Sequence, residues 1–306
     1  MKPWPVLSML AVLFLAVLSQ GPSTAATAPQ VASAPTAALE GRIVNVQSGS
    51  DLSESTTLNS DSEAVTETFF FGSSSTDTGN FNALFLPVPD PPYFEGRFSN
   101  GPVWAEYFTY SVGTSAKPSA LGGTNYALAG ARTGVVNFGF IPPITAQVSD
   151  YLSDVDSVAD KKAIYLFQTG ANDLIAAKLQ SPETAKQTMR DVVAFTAMML
   201  NDLYDAGARN FVLFTVPEIP TAPTSPILPD GTNLALLAND GLEEVAEALD
   251  RKEGASVLLF DLHGLTADIV MSPDAFGIEI TRCSYMGKSA LDILSGDITP
   301  EPCEPA

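Results

Sequence analysis

Short, almost wholly apolar runs alternate along this chain with longer stretches in which apolar residues recur every three to four positions. The first kind reads as buried strands, the second as helices with one face turned to a core. Thr68–Phe71 is a short β-type run and is expected to be the first core strand, with 163–168, 211–216 and 257–260 repeating the pattern. Residues 125–128 read as a further short strand. Helical spacing covers 103–110, which Pro102 is placed to start, and 144–152. The clearest helix spans 182–204. Ser181 is its natural N-cap, Pro182 suits the first helical position, and Gly207 is placed to end it. Val192, Phe195, Met199 and Leu203 share one face of it. Leu234–Asp250 reads as another helix. This alternation predicts an α/β fold of three layers, an α/β/α sandwich with a short parallel sheet covered on both faces.

The flanks differ in character. Residues 27–66 are rich in Ala, Ser, Thr and Pro, with no sustained apolar period. They read as a linker or pro-segment with at most one short strand, at 42–46. Ahead of them, Lys2, an apolar run over 6–18 broken only by Ser8, and Ala25-Ala26-Thr27-Ala28 have the layout of a secretory signal cleaved near Ala26. The other reading is an uncleaved anchor, for which the apolar run is short of the ~20 residues of a membrane span. The expected organisation is a signal peptide over 1–26, the linker over 27–66 and one domain over 67–306. The mature protein is then secreted or periplasmic, without a stable membrane span. Residues 80–102, with the run Pro89-Asp90-Pro91-Pro92-Tyr93, read as a loop.

With 45% hydrophobic residues, the 306-residue chain has enough apolar material for a sizeable core. Its 35 acidic against 15 basic side chains leave a net charge of -20, which repels phosphate backbones and argues against nucleic-acid binding. Cys283 and Cys303 are available to each other for one disulfide closing a loop of roughly 20 residues, worth about 3 kcal/mol. One histidine in the chain, His263, makes a Cys–His metal cluster untenable.

Sites in parallel α/β sheets lie beyond the C-terminal ends of the strands. Three polar clusters stand there: 72–80 after Phe69-Phe70-Phe71, the segment 125–131, and Gly170-Ala171-Asn172-Asp173. A serine, a glycine N–H and an asparagine amide are what acyl transfer requires, if they converge. Phe71-Gly72-Ser73-Ser74-Ser75-Thr76-Asp77-Thr78-Gly79-Asn80 resembles the first block of GDSL-type (SGNH) esterases and lipases. Gly96-Arg97-Phe98-Ser99-Asn100-Gly101 is similar to the segment that follows it in secreted bacterial members, and the Asn-Tyr-Ala-Leu-Ala-Gly-Ala and Gly-Ala-Asn-Asp runs to the second and third blocks. The resemblance covers 68–283. It implies the SGNH-hydrolase, flavodoxin-like fold, with Ser74 as nucleophile and with its own N–H, the N–H of Gly130 and the Asn172 amide as the oxyanion hole. It implies a small ester or lipid substrate and no metal or organic cofactor.

Two positions depart from the family pattern. Ser73 stands where the family has an aspartate. The closing Asp-x-x-His block, which supplies the base, has no counterpart after Cys283, and the sequence is expected to stop short of it. His263, in Asp261-Leu262-His263 just past a strand, is the one imidazole available as a base; its plainer reading is a partly buried loop residue. Two functions from different classes follow: a secreted ester hydrolase acting through an acyl-enzyme on Ser74, or a catalytically degenerate scaffold that binds a lipid or sugar ester without turnover.

Overall fold

The computed structural model describes residues 43–44, 65–88, 90, 93–134, 139–217 and 233–276. Four strands run parallel in the sheet order β2 (Thr68–Phe71), β3 (Ile164–Gln168), β4 (Asn210–Phe214), β5 (Ser256–Phe260). A two-residue β1 (Ile43–Val44) closes the far edge, antiparallel to β5 and inside the stretch where one short strand is expected. The segments expected to be signal peptide and most of the linker, and both cysteines, lie outside the described residues.

Successive side chains of each strand go to opposite faces of the sheet, which divides the core in two. Phe71, Tyr165, Phe167, Phe211, Leu213 and Leu259 pack with α3 (Ile144–Asp154), α5 (Pro182–Ala206) and α6 (Leu234–Asp250) through Tyr151, Met199, Leu203 and Leu249. Phe70, Ile164, Leu166, Val212, Phe214 and Phe260 pack with α2 (Trp104–Val112) and α7 (Leu262–Met271) through Trp104, Phe108, Leu262 and Leu265. All five residues of β3 are buried. A run that is apolar from Ile164 to Phe167 suits burial on both faces of the sheet. Each fully buried Leu, Val or Phe contributes on the order of 1.5–3 kcal/mol.

α5 starts and stops where its signals stand. Ser181 Oγ accepts from the Thr184 N–H, and Gly207 adopts the left-handed conformation at the end. Four expectations change. The 103–110 helix extends to Val112. The 80–102 loop contains a short helix α1 (Asn80–Leu84), because the Asp77 carboxylate takes the N–H groups of Gly79, Asn80 and Phe81 at its start. His263 is not in a loop: it lies in the first turn of α7, which Asp261 caps by accepting from the Gly264 N–H at 2.8 Å.

The fourth change is at 125–128, which is not a regular strand. The segment does lie parallel to β2: Phe70 N–H donates to Thr124 O, Tyr126 N–H to Phe70 O, and Leu128 N–H to Gly72 O. But Asn125 Oδ1 takes the Ala127 N–H in an Asx-type turn, which bends the chain after one bridge. With this segment counted, the spatial order is 124–128, β2, β3, β4, β5. Connections leave β2 toward both sides, and such a reversal of strand order is where open α/β sheets place their ligands.

Candidate active site

Ser74 stands at that reversal, on a tight turn just past β2 in which both Thr76 N–H and Asp77 N–H donate to Ser73 O at 2.9 Å. It is partly exposed, whereas Ser73, Thr76, Asp77 and Thr78 are buried. The turn is held from several directions. Gln147, from α3, pairs with the Gly72 peptide twice: Gly72 N–H donates to Gln147 Oε1 and Gln147 Nε2 to Gly72 O, each at 2.9 Å. Gln168, the last residue of β3, accepts from Ser75 Oγ at 2.5 Å and from Thr76 Oγ1 at 2.7 Å. Trp104 Nε1 donates to Thr76 Oγ1 at 3.2 Å, and Asn125 Nδ2 to Thr76 O at 2.7 Å.

Asp77 joins this turn to the next. Its Oδ1 accepts from Gly79 and Asn80 N–H at 2.8 and 2.6 Å, and its Oδ2 from Phe81 and Ala129 N–H at 3.1 and 2.9 Å. Burial pushes its carboxyl above the ordinary aspartate value, and the four backbone donors pull it back. Asn80 adds a second tie, donating from Nδ2 to Asn125 O and Ala127 O at 2.7 and 2.8 Å.

Gly130 follows Ala129 directly and has φ +83°, a conformation side chains rarely adopt, and a Cβ there would stand 2.6 Å from Ile141 Cδ1. On its other side, Ala131 O accepts from Asn172 Nδ2 at 2.8 Å. The residues flanking Gly130 are thus bonded to the Ser74 loop through Asp77 and to α4 (Ala171–Ala177) through Asn172. Gly170, with φ +87°, turns the chain from β3 into α4, where a Cβ would meet Val216 Cγ2 at 2.6 Å. Buried Asp173 fastens α4 to the same loop: Thr133 N–H and Oγ1 donate to its Oδ2 at 2.9 and 2.8 Å, and Arg132 Nε lies 3.3 Å from its Oδ1. Asp77 and Asp173 are both committed to protein donors.

The Ser74 N–H, the Gly130 N–H and the second amide hydrogen of Asn172 have no acceptor among the described residues. The three hydrogen-bonded segments thus carry a partly exposed hydroxyl and three unclaimed donors between them. A carbonyl oxygen that gains charge as its carbon is attacked is the acceptor such an array suits. His263 belongs to a neighbouring network: its N–H donates to Thr215 Oγ1 at 2.9 Å, just past β4, which is two strand spacings, roughly 10 Å, from β2.

The sequence reading singles out Ser74, Gly130 and Asn172, and these share one hydrogen-bonded framework. It leaves out Asp77, Asn80, Asn125 and Asp173, although all four stand in the quoted blocks. It also leaves out Gln147 and Gln168. Their only sequence signal is that each puts an amide where the pattern is apolar, on the buried face of α3 and at the end of β3.

The family model described as GDSL-like Lipase/Acylhydrolase matches residues 68–276. The thermolabile hemolysin of Vibrio parahaemolyticus serotype O3:K6 (strain RIMD 2210633) is 31% identical over 226 residues, 70% of this chain and 50% of the hemolysin. The phosphatidylcholine-sterol acyltransferase of Aeromonas hydrophila is 29% identical over 235 residues, 74% of this chain and 67% of that protein. A GDSL esterase/lipase of Arabidopsis thaliana is 26% identical over 279 residues, 72% of this chain and 75% of that one. The chain thus spans about half the length of the first of these relatives and two thirds of the second. A match that runs from the first residue of β2 to the end of the described chain places this protein in the GDSL-like lipase/acylhydrolase family of ester hydrolases.

Proposed function

We propose that this protein is a secreted serine esterase or lipase that hydrolyses carboxylic esters through an acyl-enzyme on Ser74. The observation that carries the reading is the set of three unclaimed donors, Ser74 N–H, Gly130 N–H and Asn172 Nδ2, on the Ser74 turn, the segment after it and the start of α4, which hydrogen bonds through Asp77 and Ala131 tie to one another. Ser74 Oγ attacks the ester carbonyl carbon as its proton passes to a base. The carbonyl oxygen takes the negative charge and is held by the three donors. Collapse expels the alcohol with a proton, and water repeats the sequence on the acyl-serine to release the acid and free Ser74. Neither Asp77 nor Asp173 can be the base, since each is engaged by several donors. His263 is the imidazole the sequence offers, and its backbone is bonded to Thr215, just past β4 and two strands from β2. Names among the relatives, an acyltransferase of phosphatidylcholine and several esterase/lipases, support a lipid or small ester as substrate. Export rests on Lys2, the apolar 6–18 run and the small residues before Ala26.

A second reading has its own support. Ser73 replaces the aspartate of the family block, which favours a scaffold that binds a lipid or sugar ester without turning it over. Hydrolysis of p-nitrophenyl butyrate by the purified protein, beside Ser74→Ala, separates the two. Turnover that vanishes in Ser74→Ala supports the hydrolase. Equal, background rates in both proteins, with retained affinity for a fluorescent lipid, support the binding scaffold.

A further inference from the structure

The helix α3 touches both halves of the candidate site through its first turns. Ile144 N–H donates to Arg132 O at 2.8 Å and Thr145 Oγ1 to Gly134 O at 3.2 Å, so the helix start is bonded to the loop that carries Gly130. Ile141, just ahead of it, is the residue a Cβ on Gly130 would strike. One turn further along, Gln147 reaches the other half, the Gly72 peptide two residues before Ser74. Gln147 is 5% exposed, and it stands on a face otherwise made of Ile144, Val148 and Tyr151.

An amide here is unusual chemistry for one place: it must accept from an N–H and donate to a carbonyl of the same residue. Apolar side chains do neither, and a carboxylate does only the first. The pairing fixes the peptide planes on both sides of Gly72, as a neighbouring strand would, at the point where β2 ends and the turn begins. Gly72 has little slack of its own, since a Cβ on it would lie 3.1 Å from Thr76 Oγ1 and 3.2 Å from Gln168 O.

We infer that Gln147 is a positioning residue for the reaction proposed above: its side-chain amide holds the Gly72 peptide so that the hydroxyl and N–H of Ser74 stay aligned with the N–H of Gly130. The inference rests on Ser74 being the nucleophile. Its consequence is a dependence of the chemical step, not of ester binding, on the donor half of the Gln147 amide. Glu at this position keeps the shape and the acceptor but sets a second oxygen against Gly72 O. When protonated, it regains a donor.

The test compares Q147E and Q147M with the unaltered protein and with Ser74→Ala, all at a temperature where each is folded by its thermal midpoint. The readouts are the rate at which a p-nitrophenyl alkylphosphonate modifies Ser74, and kcat and KM for p-nitrophenyl butyrate. At pH 8, Q147E is expected to lose up to ~100-fold in phosphonylation rate and in kcat, with KM little changed, the scale of loss that follows a small misplacement of reacting groups. Relative to the unaltered protein at the same pH, Q147E recovers as pH falls and its carboxyl protonates, whereas Q147M, which has no donor at any pH, does not. Q147E reacting at the unaltered rate at every pH, or a rise in KM with kcat unchanged, overturns the inference while Ser74 keeps its role. An unaltered protein whose Ser74 does not react removes the proposed function and this role of Gln147 together.

Discussion

At the scale of single residues, the site is a set of small peptide groups aimed by larger buried ones. Ser74→Ala is expected to abolish ester hydrolysis with little change in thermal midpoint, since its hydroxyl is partly exposed and bonds no other described residue. Asn172→Ala removes one donor of the oxyanion array and is expected to lower kcat by about 100- to 1000-fold with KM nearly unchanged, read from steady-state kinetics. Asn172 also donates to Ala131 O, so a modest loss of stability accompanies the change. Gly130→Ala combines a positive φ with a methyl 2.6 Å from Ile141 Cδ1 and is expected to destabilise by about 1–3 kcal/mol in a urea titration. Pairing it with Ile141→Val should recover only the part due to crowding, because φ is unchanged. Asp77→Asn turns an NH2 group toward backbone donors that now point at a carboxylate. A loss of several kcal/mol follows, on the order of two unsatisfied buried donors.

At the scale of elements, the fold was legible where a single local rule governs. α6 runs over Leu234–Asp250 as its periodicity predicts, and α5 begins after Ser181 and ends at Gly207 because capping and left-handed termination are written in neighbouring residues. Ser181→Ala should therefore cost about 1 kcal/mol, measured as a drop in the denaturation midpoint. Elements set by a side chain that takes backbone N–H groups, which no periodicity records, were less legible. α1 forms around the Asp77 carboxylate, and 125–128 bends because the Asn125 side chain takes a backbone N–H that a strand would have used. The same distinction applies to the site. Ser74, Gly130 and Asn172 are recognisable by type and neighbourhood, whereas Gln147 bonds a residue 75 positions away and nothing adjacent marks it. The turn before β3 carries a modest pH dependence. Lys162 N–H and Thr66 Oγ1 hold the Asp160 carboxyl below the ordinary aspartate value, so its contribution is present above that value and is lost as pH falls through the folded one. Asp160 is exposed and the effect is correspondingly small. Asp160→Asn should lower the thermal midpoint slightly at pH 7, by an amount that shrinks as pH falls below the ordinary aspartate value.

For the whole molecule, a net charge of -20 opposes compaction through self-repulsion that dissolved salt screens. The thermal midpoint is expected to rise between 10 and roughly 300 mM sodium chloride, with most of the gain at the low end as the screening length shortens. A flat response would mean that counterions already bound at the surface have cancelled the repulsion. Trp104 connects this global scale to the reacting loop. Its ring packs 4.8 Å from Phe214 and 5.6 Å from Phe70, while its indole N–H donates to Thr76, two residues beyond Ser74. The chain has two tryptophans, and the other, Trp4, lies in the segment proposed to be cleaved. With that segment removed, Trp104 is the one tryptophan remaining in residues 27–306, and its indole is bonded to the turn that carries Ser74. Its emission becomes an intrinsic optical gauge, able to follow modification of Ser74 in real time without a label and without a chromogenic ester.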